Sequence, residues 1–167
     1  MQIQSKNIVI TGGASGLGEA TARAMVAQGA QVILIDLNQD LGQELVSELG
    51  EQASFYAVDV TNEAQVQQLF EQIELRYGKI HGLVNCAGIA PAAKVLGRDG
   101  LHDLALFQKV LNINVTGSFN MIRYATQLMA KTQLEVGEEE RGVVVNTASV
   151  AAYDGQIGQT AYAASKG

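Results

Sequence analysis

One stretch limits the choice of fold more than any other. NIVITGGASGLGEATA, residues 7–22, passes from a β-branched apolar run through glycines into a helical pattern. Asn7–Thr11 has the composition of a buried strand, and residues 16–28 read as a helix closed by Gly29. Between them Gly12, Gly16 and Gly18 are spaced G-x3-G-x-G. Small residues there let the backbone turn sharply and come close to a bound group. The start of the helix adds free N–H groups and the positive end of a dipole. That combination suits a pyrophosphate, with Ser15 and the Leu17 amide beside the phosphates or a ribose. A glycine-rich turn is weak evidence by itself; a strand before it and a helix after it make it strong.

The alternation then repeats. Residues 31–35 read as a second strand ending at Asp36, Gln39–Leu49 as a helix stopped by Gly50, and residues 54–58 as a third strand. Thr61 is the expected N-cap of a helix in which Val66, Leu69, Phe70 and Ile73 recur at helical spacing as far as Gly78. Residues 79–84 give a fourth strand, 91–101 a loop, 104–130 a long helical region and 142–146 a fifth strand. A last helix is expected from about Thr160. This pattern predicts an α/β fold: a Rossmann-type doubly wound parallel sheet, layered α/β/α, with ligands at the carboxyl ends of the strands. The polar stretch KTQLEVGEEER, residues 131–141, is expected to be a solvated surface loop.

Composition excludes several partners. The length of 167 residues suits one domain, and 47% apolar against 17% charged residues is globular. Seventeen acidic against eleven basic residues, with no basic stripe, argues against nucleic acid. The N-terminus has only the short run IVI before its glycines, so neither a signal peptide nor a membrane span is expected there. The single cysteine, Cys86, forms no internal disulfide and fits a reducing, cytoplasmic setting.

Candidate site residues fall at strand ends. Asp36, eighteen residues beyond Gly18, is placed to accept from the adenosine ribose hydroxyls and to repel a 2′-phosphate. No Arg or Lys in residues 11–18, or at Leu37 and Asn38, offsets that charge, so NAD is expected over NADP. Asp59 and Val60 are expected to flank the adenine, Asp59 through a polar contact and Val60 through its main chain. Asn85, Cys86, Ala87 and Gly88 end the fourth strand, where small side chains leave room for the nucleotide. Cys86 has no nearby His to activate it and reads as a small thiol lining the groove.

At the other end of the chain, Ser149 follows the fifth strand, Tyr162 comes thirteen residues later, and Lys166 lies one helical turn beyond Tyr162. Each alone has an ordinary explanation: a turn serine, a core-edge aromatic, a solvated lysine. Together, beside a nucleotide turn, they suit alcohol oxidation or carbonyl reduction. Tyr162 would exchange a proton with the substrate oxygen, Lys166 would stabilise the phenolate, and Ser149 would hold that oxygen by a hydrogen bond. No metal is expected at the site.

TGGASGLG, NCAG, Asn114, Ser149 and YAASK, in this order and spacing, resemble the short-chain dehydrogenase/reductase family along nearly all of the chain. The resemblance implies a catalytic tetrad of Asn114, Ser149, Tyr162 and Lys166, with Asn114 holding a water that relays protons to the lysine. It also implies that Tyr162 and Lys166 touch the cofactor. Longer stretches, among them VNCAGIA and RGVVVNTASVAAYDGQIGQTAYAASKG, resemble a subgroup that oxidises 3-hydroxyacyl-CoA and some hydroxysteroids with NAD. Gln156 and Gln159 are then candidate substrate contacts beside Ser149 and Tyr162. On this resemblance the complete protein is a homotetramer. Residues 1–167 would be its NAD-binding part without the last strands and substrate loop, inactive alone, with the fifth strand left as an exposed edge. Two other readings compete: an NADPH-dependent 3-oxoacyl-thioester reductase, against which Asp36 argues, and a non-catalytic nucleotide-binding module, against which the full set of reactive residues argues.

Overall fold

The computed structural model describes residues 2–98, 100–134 and 139–167. Its first half follows the strand–helix alternation: β1 (Asn7–Thr11), α1 (Gly16–Ala27), β2 (Gln31–Asp36), α2 (Gln39–Leu49), β3 (Ala53–Ala57), α3 (Glu63–Tyr77) and β4 (Gly82–Asn85). A small hairpin of β5 (Leu96–Gly97) and β6 (Gly100–Leu101) lies within the expected loop. Then come α4 (Leu104–Leu111), a π-helical segment (Asn112–Gly117), α5 (Ser118–Lys131), β7 (Val143–Asn146), α6 (Ala151–Asp154) and α7 (Thr160–Lys166). Part of the polar stretch between Lys131 and Arg141, at 135–138, lies outside the described residues.

The interiors of the central strands β1 and β2 are apolar because both faces are covered. In β1, Ile8 and Ile10 pack on one side and Val9 on the other; in β2, Val32 and Leu34 join the first side, Ile33 and Ile35 the second. On the first side lie Ala22 of α1 and Leu45 of α2. On the second lie Val66, Leu69, Phe70 and Ile73 of α3 and Met121, Ala125 and Leu128 of α5. The five parallel strands run in the order β3-β2-β1-β4-β7, so the doubly wound sheet expected from the sequence is what forms. The chain winds outward from β1 to β3 and then returns to β1's other side. That reversal leaves a crevice between β1 and β4 at their carboxyl ends. Register aligns those ends: Thr11 is level with Ile35 and Asn85, and Asn85 with Asn146.

Several boundaries differ from expectation for identifiable reasons. Asn62, not Thr61, caps α3: its side chain accepts from Gln65 N at 3.1 Å, while the Thr61 hydroxyl turns back to Asp59 Oδ1 at 2.8 Å. β4 starts at Gly82 rather than Lys79. Before it, Asn7 uses its side chain to reach Lys79 O at 2.7 Å and its N–H to reach His81 Nδ1 at 3.0 Å. The long helical region is interrupted by the π turn, and α6 was not expected.

Candidate active site

The glycine turn is set by contact with the residues that follow β4. A Cβ on Gly12, whose φ is +61°, would lie 2.8 Å from Ala87 N. One on Gly18 would lie 2.0 Å from Gly12 O. Both neighbours are backbone and cannot move aside, so the first turn of α1 sits directly over the turn that precedes it. Ser15, the N-cap residue, makes no side-chain capping bond, so the amides that open α1 face the crevice without a side-chain cap. Gly12, Ser15, Gly16, Leu17 and Gly18 line that crevice, as do Asp36, Asp59, Val60, Cys86, Ala87 and Gly88.

The Asp36 carboxylate joins two of these elements. Its Oδ2 accepts from Ala14 N at 3.2 Å and its Oδ1 from Asn38 N at 3.1 Å. A carboxylate has about four acceptor sites, so room remains for ribose hydroxyls. Asn85 is placed differently from its neighbours. It is 2% exposed, and its amide donates to Asn146 Oδ1 at 2.9 Å, across to β7, instead of lining the crevice. Thr11, which sequence reading passed over, holds the rest of NCAG in place: its hydroxyl oxygen accepts from Cys86 N and Ala87 N, both at 3.1 Å. A β-branched hydroxyl immediately before the first glycine was the available signal. The long helix adds Lys109, Asn112 and Ile113 to the wall. Burial raises the Cys86 thiol above its ordinary pKa, and the Lys166 charge opposes that more weakly.

Asn114 is carried inward by the π turn, a common device where a helix must turn one residue toward a site. Its side chain is fully committed. Oδ1 accepts from Ile89 N at 2.8 Å, and Nδ2 donates to Ile89 O at 3.0 Å and to Ser165 Oγ at 2.8 Å. Its carbonyl accepts from Ser118 Oγ at 2.8 Å. Asn114 therefore clamps the segment after β4 to α7. The Ser165 hydroxyl donates in turn to Tyr162 O at 2.7 Å, within α7 itself.

Lys166 and Tyr162 share a face of α7. The ammonium lies 5.8 Å from the centre of the Tyr162 ring and donates to Thr147 O at 2.8 Å and Thr147 Oγ1 at 3.1 Å. The Thr147 hydroxyl gives its own proton to Asn85 O at 3.0 Å, which leaves its oxygen free to accept from the lysine. Thr147 is a second residue the sequence did not reveal; its partner lies nineteen positions away. Ser149 Oγ accepts from Ala151 N at 3.2 Å at the start of α6, which leaves its proton available to a ligand. Gln156 is exposed, and Gln159 precedes α7 in a segment tied to Ala93, whose N–H donates to Gly158 O at 2.7 Å.

Comparison with known proteins points one way. The family model described as short chain dehydrogenase matches residues 6–167. The 3-hydroxyacyl-CoA dehydrogenase type-2 of Drosophila melanogaster is 48% identical over 165 residues, covering 96% of this chain and 64% of the fly protein. The Homo sapiens protein of that name is 47% identical over 161 residues, covering 95% of this chain and 61% of its own. A crystal structure of 3-hydroxyacyl-CoA dehydrogenase type-2 from Mycobacterium avium superposes with a TM-score of 0.86 at 39% identity, over 97% of this chain and 63% of that one. The chain thus spans a little under two thirds of the length of these relatives.

Proposed function

The chain belongs to the short-chain dehydrogenase family, and on that footing we propose that it is the nucleotide-binding part of an NAD-dependent oxidoreductase. The reaction is hydride transfer between NAD and a secondary alcohol or ketone, with a 3-hydroxyacyl-CoA as substrate. The observation that carries this reading is spatial. The glycine turn follows β1, Asp36 ends β2, and Lys166 of α7 is bonded to Thr147 just beyond β7, so all three lie at the carboxyl ends of one parallel sheet.

The groove fits the cofactor on its own geometry. Two glycines leave a cradle that a side chain would fill, helix amides face it, and Asp36 supplies an acceptor for ribose hydroxyls and a charge that disfavours a 2′-phosphate. Lys109 is the one Lys or Arg among the described residues of this wall, and it comes from α4, not from the loop after β2. When bound, NAD supplies the hydride acceptor. The protein's residues do the rest. Tyr162 takes the proton of the substrate hydroxyl, and the nearby Lys166 ammonium stabilises the resulting phenolate. Ser149 donates its free proton to the substrate oxygen and holds it in line. Asn114 holds α7 at the correct depth through Ser165 and Ile89. Gln156 and Gln159 are assigned to the substrate side of Ser149 and Tyr162.

Calorimetric titration of residues 1–167 with NAD and NADP tests the cofactor assignment. NAD is expected to bind more tightly; equal or tighter binding of NADP would overturn it in favour of an NADPH-dependent reductase. NADH formation from 3-hydroxybutyryl-CoA tests the chemistry. It is expected once the chain is joined to the remaining segment that its relatives possess, and not from residues 1–167 alone. Robust turnover by a monodisperse monomer of 1–167 would show that the further segment is unnecessary. A cytoplasmic homotetramer completes the proposal, supported by exposed Val115 and Phe119 on the long helix. Light scattering of the completed protein checks its size.

A further inference from the structure

We infer that Asn120 and Gly117 are positioning residues for the adenine end of the nucleotide, and that they act through the main chain of Val60. This rests on the reading above that the groove takes NAD. Beyond the end of β3, Val58, Asp59, Val60 and Thr61 form part of the groove wall. They belong to no strand or helix, so their conformation depends on bonds to neighbours. Most of those bonds are local. Val58 N donates to Asp36 O at 3.1 Å, Asp59 N to Gln65 Oε1 at 2.9 Å, and Asp59 Oδ1 accepts from Thr61 N at 2.9 Å. The farthest reach is that of the Val60 carbonyl, which accepts from Asn120 Nδ2 at 2.9 Å, sixty residues along the chain.

Asn120 is costly where it stands. It is 5% exposed, next to Met121 in the packed face of α5, and its Oδ1 has no partner among the described residues. Burying an amide with one end unsatisfied is unfavourable. Turning the amide over would set its oxygen against the Val60 carbonyl, acceptor against acceptor. The bond to Val60 therefore fixes the orientation of the Asn120 amide. Gly117, three residues earlier and on the same helix face, holds the Val60 side chain. A Cβ there would lie 2.6 Å from Val60 Cγ2. One helix face thus fixes both the carbonyl and the side chain of Val60.

The consequence concerns what the wall presents. The Val60 N–H has no hydrogen bond among the described residues, and the adjacent Asp59 carboxylate has one oxygen, Oδ2, with no bond to the protein among them. A donor beside an acceptor matches the edge of adenine, which offers an acceptor at N1 and a donor at N6. Hypoxanthine reverses both. If Asn120 and Gly117 set the direction of the Val60 N–H, loosening them must weaken adenine recognition selectively.

The test uses residues 1–167 and two ligands, NAD and nicotinamide hypoxanthine dinucleotide, titrated by calorimetry with thermal unfolding recorded in parallel. Unaltered protein is expected to prefer NAD. Asn120→Leu, close in size but unable to donate, is expected to weaken NAD about tenfold, the scale of one net hydrogen bond, while the hypoxanthine analogue barely changes. Gly117→Ala is expected to act in the same direction by displacing Val60, and it decides the matter if Asn120→Leu does not fold. Equal losses for both ligands, or a lower unfolding temperature with the preference intact, would reduce the two residues to packing and overturn the inference. Failure of the unaltered chain to bind NAD would instead overturn the cofactor reading on which it rests.

Discussion

β2 and β7 are both short parallel strands of branched apolar residues, yet their surroundings differ sharply. Val32, Ile33, Leu34 and Ile35 of β2 are at most 1% exposed, whereas Val143 and Val145 of β7 are 40% and 47% exposed. β2 has a strand on each side and helices on both faces. Among the described residues β7 pairs with β4 alone, and of its three valines Val144 is the one packed against the main core. Each region also carries half of the candidate site. The groove beside β1 and β2 rests on backbone-to-backbone contact and a sealed core. The reactive end beside β7 rests on a few side-chain bonds, chiefly Asn114 to Ser165 and Lys166 to Thr147. On the proposed function, nucleotide binding is therefore the robust property of this chain, and the alignment of Tyr162 and Lys166 the fragile one.

That contrast can be broken experimentally, beginning where the effect is largest. Tyr162→Phe keeps the ring beside Lys166 and removes only the proton carrier. In the completed protein, turnover is expected to fall about 10³-fold, the usual scale for a lost acid–base group, with NAD affinity unchanged. Steady-state kinetics and a cofactor titration check both halves of the statement. Next, Ile33→Ala should destabilise the chain by about 3 kcal/mol in urea, while Val145→Ala, half exposed on β7, should cost less than about 1 kcal/mol. Equal losses would mean that the β7 edge is as well packed as the centre of the sheet.

Two smaller effects sharpen the picture. Thr147→Val removes the hydroxyl that accepts from Lys166 and leaves the carbonyl, so kcat of the completed protein should drop about tenfold. Thr147→Ser should restore it. Cys86 should respond to pH. Because burial raises its pKa, less thiolate is present at neutral pH than in the unfolded chain. Alkylation by iodoacetamide should then be slower in the folded protein, accelerate as pH rises, and slow further when NAD occupies the groove. Mass spectrometry of the modified peptide follows all three.

Much of this was legible in advance where a residue's role is local. β1, α1, α2 and the start of α7 follow from apolar runs, glycine stops and periodicity, because those patterns act over a few residues. Asp36, Gly12 and Gly18 could be picked out because the turn between a strand and a helix has few solutions. Long-range partnerships were not legible. Nothing in NTAS says that Thr147 will meet Lys166, and nothing in GSFN says that Asn120 will reach Val60. Asn85 looked like part of the nucleotide wall, but its amide joins β4 to β7. Nothing in NINV says that the Asn114 side chain will bond to Ile89 and Ser165.

The sequence by itself determined the alternation of strands and helices, the glycine turn and the chemical identity of the candidate site residues, since these depend on local sterics and side-chain type. Tertiary structure decided which amides point where. The π turn set the depth of Asn114, strand register brought Asn85 level with Asn146, and chain reversal at β4 put the glycine turn and α7 at one end of the sheet. Hydrogen-bond direction depends on groups brought together from distant positions, and no short window of sequence contains both partners.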